Sequence, residues 1–505
     1  FSGPRRLSLS KPLQMSPPAP LFWLSPAGDW RGPVGIGTKL LVFAVYEVIR
    51  VSASGSFLEA GTFLSSQLFL DDFTSLIRYD VGITDLRERK EVNGMFVMFE
   101  KEEFKVPVRV WLEGPGVLEE SCLEQARHLA KLPFLHKWVC LMPDTHAGMG
   151  MPIGGVIAAE DVVIPNAVGV DIGCGMAYTE TNIPVKEIRQ VMTGNGNLVQ
   201  AMIGDIMRNV PVGFAHHKMM MPSYTMDCAF EEMDRYEQDA ELLGQLEAGY
   251  YQIGTLGGGN HFIELQESDD GFLTVMVHSG SRHFGKSVCD YFHFKARELN
   301  KRWYSQVPDE YRLAFLPTDS SEGKRYLDWM NLSMDFAKEN REKMMLAVKA
   351  ILEKWIGKYT DFELTFSGDI NCHHNYAALE NHYDKNVWVH RKGAVRARNG
   401  ELAVIPGAMG SYSYVVMGKG NPESFCSSSH GAGRRYSRKG AMSAFSCEQV
   451  IQDLNTQGVV LGKKNKSDVA EESRFAYKDI ETVMKDQTDL VVPVKRLKTI
   501  GVVKG

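Results

Sequence analysis

The sequence predicts an α+β fold, and three observations carry that expectation. Short apolar runs bounded by Gly and Pro recur in the middle and towards the end of the chain; a long amphipathic stretch, 326–357, separates them; and the two kinds of element come in mixed order without an internal repeat. Taken in turn, Leu118, Cys122, Ala126 and Leu129 recur at helical spacing and predict a helix over 118–131. Trp138–Met142, Gly155–Ala159 and Val162–Val170 are brief, apolar and punctuated, as strands and turns are. In 326–357, Met330, Met334, Ala337, Met345, Val348 and Leu352 share one helical stripe, and a Met-bearing stripe usually packs a core. Strands are expected again at Val387–His390, Leu402–Ile405 and Tyr412–Val416. Most histidines fall in Gly-rich or small-residue loops directly after a short apolar run, where side chains converge at a sheet edge.

The 505 residues are 44% hydrophobic and 23% charged, ordinary for a globular enzyme. A net charge of -6 excludes a protein that coats nucleic acid through a global positive field, and leaves a local basic channel open. Eight scattered cysteines without a CxxC pair point to a reducing, intracellular compartment, the cytoplasm first. The chain opens on Phe1 rather than Met, which leaves room for a missing N-terminus. Residues 1–46 carry Arg5, Arg6, Lys11, Arg31 and Lys39 against the single acid Asp29, a composition similar to an organelle transit peptide or to a disordered or non-native extension. The apolar run Leu40–Ile49 is far shorter than the about 20 residues that span a bilayer, so no membrane helix is expected.

Several constellations can carry chemistry. In Val168-Gly-Val-Asp-Ile-Gly-Cys-Gly-Met176, Asp171 and Cys174 are close enough to face one cation; a buried turn with an inert cysteine is the other reading, and both stay open on this motif alone. Gly254-Thr-Leu-Gly-Gly-Gly-Asn-His-Phe-Ile-Glu264 offers free backbone N–H groups to phosphate, followed by Asn260 and His261. His278 ends the run Val275–Val277 with Arg282 close behind, and Asn371-Cys-His-His-Asn375 holds a further pair of histidines. A carboxylate, a thiolate and imidazoles together suit a transition metal better than Mg or Ca. In Ser424-Phe-Cys-Ser-Ser-Ser-His-Gly-Ala-Gly-Arg-Arg435, His430 stands among small residues where a bulky electrophile can reach an imidazole nitrogen. Arg434, Arg435, Arg438 and Lys439 follow it, and Arg391, Lys392, Arg396 and Arg398 precede it; such runs either bind phosphate or form a solvated basic loop.

Gly280-Ser-Arg-His-Phe-Gly-Lys-Ser287 fits the P-loop pattern, which makes a P-loop NTPase the alternative function. Bulky Arg282, His283 and Phe284 stand where the backbone should wrap phosphate, and no convincing strand ending in Asp follows.

Met142-Pro-Asp-Thr-His146, Val170–Met176, Gly254–Glu264, His278–Arg282, Asn371–Asn375, Arg391–Ala394, Pro406-Gly-Ala-Met-Gly410 and Ser429–Arg434 together resemble the RtcB family of RNA ligases, in family order. The likeness runs from about Met95 to Lys504-Gly505, and Asn-Cys-His-His-Asn is closer to bacterial members. It implies one large α+β catalytic domain over 95–505, with its metal site at sheet edges, and an N-terminal extension over 1–94. It also implies a reaction in three steps. A histidine attacks the α-phosphate of GTP, GMP passes to an RNA 3′-phosphate (which the enzyme can make by opening a 2′,3′-cyclic phosphate), and a 5′-hydroxyl then displaces GMP.

Carried over by motif, the nucleophile is His430. One manganese ion would be held by Asp171, Cys174 and His261 and a second by Cys174, His278 and His374, with His373 outside the set. Guanylate contacts would come from Asn260, His261, Phe262, Ile263, Glu264, His374, Asn375, Pro406, Gly407, Ala408, Met409, Ser413, His430, Gly431, Ala432, Gly433 and Lys504. Arg282, Arg391, Lys392 and Arg434 are the candidate RNA or phosphate contacts. Ala408 departs from the family, which usually has a hydroxyl residue there. The implied partners are RNA with those ends, in tRNA splicing or repair, and an archease activator. A non-catalytic RNA-binding relative is the remaining class, and it would be expected to have lost the ligand set.

Overall fold

The apolar runs assemble into two sheets that meet at the candidate site. The computed structural model describes residues 89–90 and 95–505, apart from residue 195; the expectations for residues 1–46 and for the 40–49 run lie outside the described residues. The first sheet has the order Arg89–Lys90, Phe96–Met98, Val108–Val110, Leu135–His146, Ile153–Ala159, Lys385–Lys392, Asn375–His382. Its opening strand lies on the N-terminal side of the expected boundary at residue 95. The second has the order Phe366–His373, Gly175–Pro184, Phe272–Ser279, Phe262–Ser268, Val491–Lys504, Tyr412–Gly418, Leu402–Ile405, and Val460–Gly462 joins Val491–Lys504 in parallel.

The centre of the second sheet is buried on both faces, while its edge strand Phe366–His373 is half-buried to exposed. Ala177, Val275, Val277, Ile263 and Val503 pack against helix Leu198–Asn209 and the long helix Ser321–Tyr359. Their alternates Met176, Met276 and Val502 pack on the opposite side with Val450 and Leu454. Burying each such side chain contributes roughly 1.5–3 kcal/mol before entropy is counted. The long helix opens on Ser320, whose Oγ accepts from Gly323 N at 3.0 Å. Met330, Ala337, Met345, Val348 and Leu352 of the expected stripe are buried, and Met334 partly so.

Two local expectations change. The helix expected at 118–131 spans Glu120–Ala130 and buries Cys122, Ala126 and Leu129, with Leu118 in the turn before it. Of the Val162–Val170 run, expected among the strands and turns, only Val162–Val163 is a strand. Pro165 then opens a short helix, Pro165–Val168, because proline cannot donate to a ladder but fits the first turn of a helix. No described helix is long and apolar enough to cross a membrane.

Candidate active site

Strand register builds the first half of the site. Across the second sheet, Phe262 pairs with both His278 and Lys504, His278 with Met176, and Gly175 with Ser279 and His373. Neighbouring strands here run antiparallel, so starts and ends alternate along this edge. His374 follows one strand, Cys174 precedes the next, His278 lies near the end of the third, His261 precedes the fourth and Lys504 closes the fifth. His374 is also the single residue between Phe366–His373 in one sheet and Asn375–His382 in the other, so it stands at the corner where the sheets meet.

The side chains converge on Cys174. Its Sγ lies 3.5 Å from His261 Nε2 and 3.4 Å from His278 Nε2, and His261 Nε2 lies 3.0 Å from Asp171 Oδ2. Asp171, Cys174 and His261 form one set, and Cys174, His278 and His374 another, whose ligand atoms within each set lie within 4.8 Å of one another. The other ring nitrogens of His261 and His278 face backbone carbonyls, Leu256 O at 3.0 Å and Asn260 O at 3.2 Å, which turns each Nε2 inward. His374 Nδ1 is buried with no hydrogen-bond partner. Leaving such a nitrogen unsatisfied costs about 1–3 kcal/mol, and a cation would remove that cost. The donor set fits a transition metal.

Protonation fits as well. Burial first, and neighbouring imidazoles second, hold His278 and His374 far below the usual histidine range, so both are neutral, as metal ligands must be. Burial works to raise Asp171, but its hydrogen bond and charge interaction with His261 keep it below the ordinary carboxylate range. Burial and the Asp171 charge push the Cys174 thiol well up, so a metal binding there must displace its proton.

The long helix holds these loops in place. Arg341 is fully buried and donates from Nη1 to Gly173 O and Ser279 O, each at 2.9 Å, while Asn340 Nδ2 reaches Thr255 O at 3.2 Å and Gly280 O at 3.1 Å. A Cβ on Gly280 would lie 2.3 Å from the Asp171 carboxylate, so only glycine fits there. His373 Nδ1 lies 2.8 Å from Gly173 O, and this residue is in neither ligand set.

The second half of the site comes from the first sheet, which supplies Asp144, and from a separate two-stranded sheet, which leads into His430. His430 directly follows strand Ser427–Ser429, which pairs with Ala394–Arg396. Its Nδ1 lies 2.6 Å from Asp144 Oδ2, near the end of Leu135–His146, and the same oxygen accepts from His430 N at 3.1 Å and Gly431 N at 3.3 Å. A carboxylate only accepts, so Nδ1 keeps the proton and Nε2 carries the free lone pair. The His430 ring lies 4.8 Å from the His374 ring, centroid to centroid.

In front of His430 is a cavity of about 460 Å³. Asn260, Phe262, Glu264, His278, Pro406, Gly407, Ala408, Met409, Gly431, Ala432, Gly433, Arg434 and Lys504 line it. Glu264 accepts from Gln266 Nε2 at 2.6 Å and Thr499 Oγ1 at 3.0 Å, yet burial still pushes its carboxyl up to about 7. Several expected contacts lie elsewhere. Ile263 points to the opposite face of its strand and packs in the core with Val503. Ser413 Oγ accepts from Gly407 N at 3.1 Å, and Asn375 ties Gly393 N at 2.8 Å to Asp171 O at 3.0 Å, so both brace the loops.

The basic residues also divide. Arg434 lines the cavity and binds Glu472 Oε1 at 2.5 Å. Arg282 Nη1 lies 3.2 Å from His261 Nδ1. Lys392 is buried, donates to Met149 O at 2.6 Å and Asn166 O at 2.9 Å, and is pushed by burial down to about 8. Arg391 is fully buried, and its five donors are used by Glu380, Tyr376, Ser427 and the Phe425 carbonyl. With those bonds made, no N–H of Arg391 is left over for a phosphate.

The family described as tRNA-splicing ligase RtcB matches residues 125–505. The chain belongs to the RtcB family. Curated relatives include the RNA-splicing ligase RtcB of Escherichia coli K12, 37% identical over 415 residues that cover 79% of this chain and 97% of that protein. The tRNA-splicing ligase RtcB of Nanoarchaeum equitans is 31% identical over 492 residues, 83% of this chain and all of the relative. That of Thermococcus kodakarensis is 32% identical over 471 residues, 80% and 96%. RNA ligase is the enzyme class that comes with RtcB membership.

The P-loop alternative is overturned by the fold as well as by this membership. Helix Arg282–Arg302 begins inside Gly280–Ser287, so no phosphate-wrapping loop remains; Phe284 and Gly285 are buried and Lys286 pairs with Asp290 on the surface. Sequence reasoning assigned no role to several residues that shape the RtcB site: Asp144, His146, Glu472 and Tyr477. Glu472 is buried between Lys504 Nζ at 3.1 Å, Arg434 and Tyr477 OH at 2.7 Å. Asp144 and His146 had a signal, the Pro-Asp-Thr-His motif closing an apolar run; Glu472 and Tyr477 had none.

Proposed function

We propose that this enzyme is a GTP- and manganese-dependent RNA ligase that joins 2′,3′-cyclic phosphate or 3′-phosphate ends to 5′-hydroxyl ends through GMP carried on His430. One observation carries the reading: the Asp144–His430 pair leaves a free imidazole nitrogen at a cavity that His278 also lines, with the His374 ring 4.8 Å from the His430 ring. His430 Nε2 attacks the α-phosphorus of GTP, a P–N bond forms, and the bond to the pyrophosphate oxygen breaks. Asp144 holds the Nδ1 proton throughout and stabilises the positive charge that develops on the ring. An oxygen of the RNA 3′-phosphate then takes GMP from His430, restoring the imidazole. The 5′-hydroxyl of the second RNA attacks the activated 3′-phosphate and GMP leaves.

Two manganese ions, held by Asp171, Cys174 and His261 and by Cys174, His278 and His374, would supply charge neutralisation and orientation of the phosphates. Glu264 and Lys504 are suited to the two edges of guanine, as acceptor and donor, and the Gly431–Gly433 backbone to the α-phosphate. Arg282 and Arg434 are left as the phosphate contacts. Action in the cytoplasm, in tRNA splicing or repair and with an archease activator, belongs to the same proposal, and eight unpaired cysteines fit a reducing compartment.

The test is incubation with α-labelled GTP and manganese, followed by denaturation. Acid-labile label should stay on the wild type and vanish from His430→Ala. Label retained on that variant would exclude His430 as the nucleophile.

A further inference from the structure

Residues 210–223, between helix Leu198–Asn209 and helix Tyr224–Glu231, lie against the Gly254–Asn260 loop. Leu256 N donates to Pro211 O and Gly213 N to Gly257 O, each at 2.9 Å, and Val212 bridges Gly257. On its other side, Gly257 leaves room for the Arg282 guanidinium, which stands where a Cβ would be and reaches His261 Nδ1 at 3.2 Å. A run of direct contacts therefore leads from the candidate ligand His261 to Gly213. With φ +65°, Gly213 starts a turn closed by Ala215 N donating to Val212 O at 3.2 Å. The tip of that turn is Phe214, which is 100% exposed.

A single exposed aromatic residue is ordinary on any protein surface. This one has company. His216 and Lys218 are exposed beside it, His217 lies over Gly254, and Met219 and Met220 are 76% and 51% exposed. Residues 210–221 contain no acid. A flat apolar ring on a pinned turn, with a lysine nearby and no acid, is a composition that binds single-stranded nucleic acid, where a base stacks on the ring and the backbone follows the charge. The turn is tied by those backbone hydrogen bonds to the Gly254–Asn260 loop, which leads directly into His261.

We propose that the 210–221 loop is a platform for the RNA strand entering the active site. Phe214 stacks on an unpaired nucleobase within a few nucleotides of the end being joined, and Lys218 faces the phosphates. The choice of RNA as occupant rests on the ligase reading above; the stacking chemistry rests on the loop itself.

The test compares the full-length wild type with Phe214→Ala, Phe214→Trp and Lys218→Ala on a short single-stranded RNA with a 3′-phosphate and 2-aminopurine near that end. Phe214→Ala should raise KM for this RNA about tenfold and weaken equilibrium binding alike, with kcat changed less than about twofold, while Phe214→Trp restores both. Lys218→Ala should flatten the slope of log affinity against log salt by about 0.7. Unchanged RNA affinity in Phe214→Ala, or a Trp variant as poor as the Ala variant, overturns the platform. If sedimentation instead shows self-association lost in Phe214→Ala with RNA binding intact, a second copy of the chain sits on Phe214, and the proposal is wrong. Failure of the ligase reading is separable, since it appears as no GMP label on the wild type. The 2-aminopurine binding signal needs neither nucleotide nor ligation and still judges Phe214.

Discussion

Asp144 Oδ2 accepts three hydrogen bonds from two consecutive residues, the His430 ring at 2.6 Å, the His430 backbone and the Gly431 backbone. One carboxylate oxygen therefore fixes the ring's tautomer, its direction and the turn that presents it. The other oxygen, Oδ1, is buried without a partner. Asp144→Asn is damaging either way the amide lies. With its NH₂ towards the ring it demands the wrong tautomer, and with its NH₂ in the Oδ1 position it buries an unpaired donor at a cost of about 1–3 kcal/mol. The rate of GMP labelling per folded molecule should fall about 10²–10⁴-fold. Labelling at the wild-type rate would mean that Asp144 holds only the turn.

Cys174 belongs to both ligand sets, so its loss should empty both. Cys174→Ala should remove manganese binding, guanylation and ligation together, and Cys174→Ser should be nearly as damaging because a hydroxyl is a poor soft ligand and is not readily deprotonated. Manganese stoichiometry of the purified, folded variants decides it. A Ser variant that binds as much metal as the wild type and still takes label would rule out the shared thiolate.

Much of the ligand set is legible in the sequence because Cys174, His261, His278 and His374 each stand at or beside a strand end, and strand ends carry local marks: Gly, small residues, a broken apolar run. Partners that meet only in three dimensions are not legible. Asp144 and His430 come from elements separated by 286 positions, and nothing local to Glu472 announces Arg434, Tyr477 and Lys504 around it. Charge runs mislead for the opposite reason. Arg391 and Lys392 read as the start of a basic run, yet both are buried, because their strand has neighbours on both sides and their charges are met by Glu380 and backbone carbonyls. The P-loop pattern fits by letters alone, since the helix starts where the loop should be.

Arg391 yields a prediction about stability. Its guanidinium and Glu380 are both buried and bind at 2.5 and 3.2 Å, so Arg391→Met leaves that buried carboxylate with only His382 at 3.1 Å and Arg398 at 3.7 Å. Breaking such a pair from one side costs about 3–5 kcal/mol, which should appear as a large drop in midpoint in urea unfolding. At temperatures where the variant stays folded, KM for RNA should match the wild type. A normal midpoint with a raised KM would return Arg391 to the RNA surface.

Glu264 links the cavity to pH. Burial raises its carboxyl in the folded protein to about 7, above the ordinary value of 4.5, against hydrogen bonds from Gln266 and Thr499 and the charge of Lys504. Between these two values the folded state binds more protons than the unfolded one, so stability falls as pH rises through that window, by at most roughly 3 kcal/mol. Glu264→Gln is neutral throughout and should lose that part of the slope, leaving the variant relatively more stable at pH 8 than at pH 5. In the proposed guanine contact the carboxyl must accept hydrogen bonds, which favours its ionised form and draws its pKa back down. GTP binding near pH 6.5 should therefore release a proton, and affinity should weaken as pH drops below about 7. Titration calorimetry in buffers of different ionisation enthalpy reads that proton directly, and Glu264→Gln should abolish it. If the wild type releases none while binding GTP, Glu264 does not meet the base, and its raised carboxyl is a matter of packing alone.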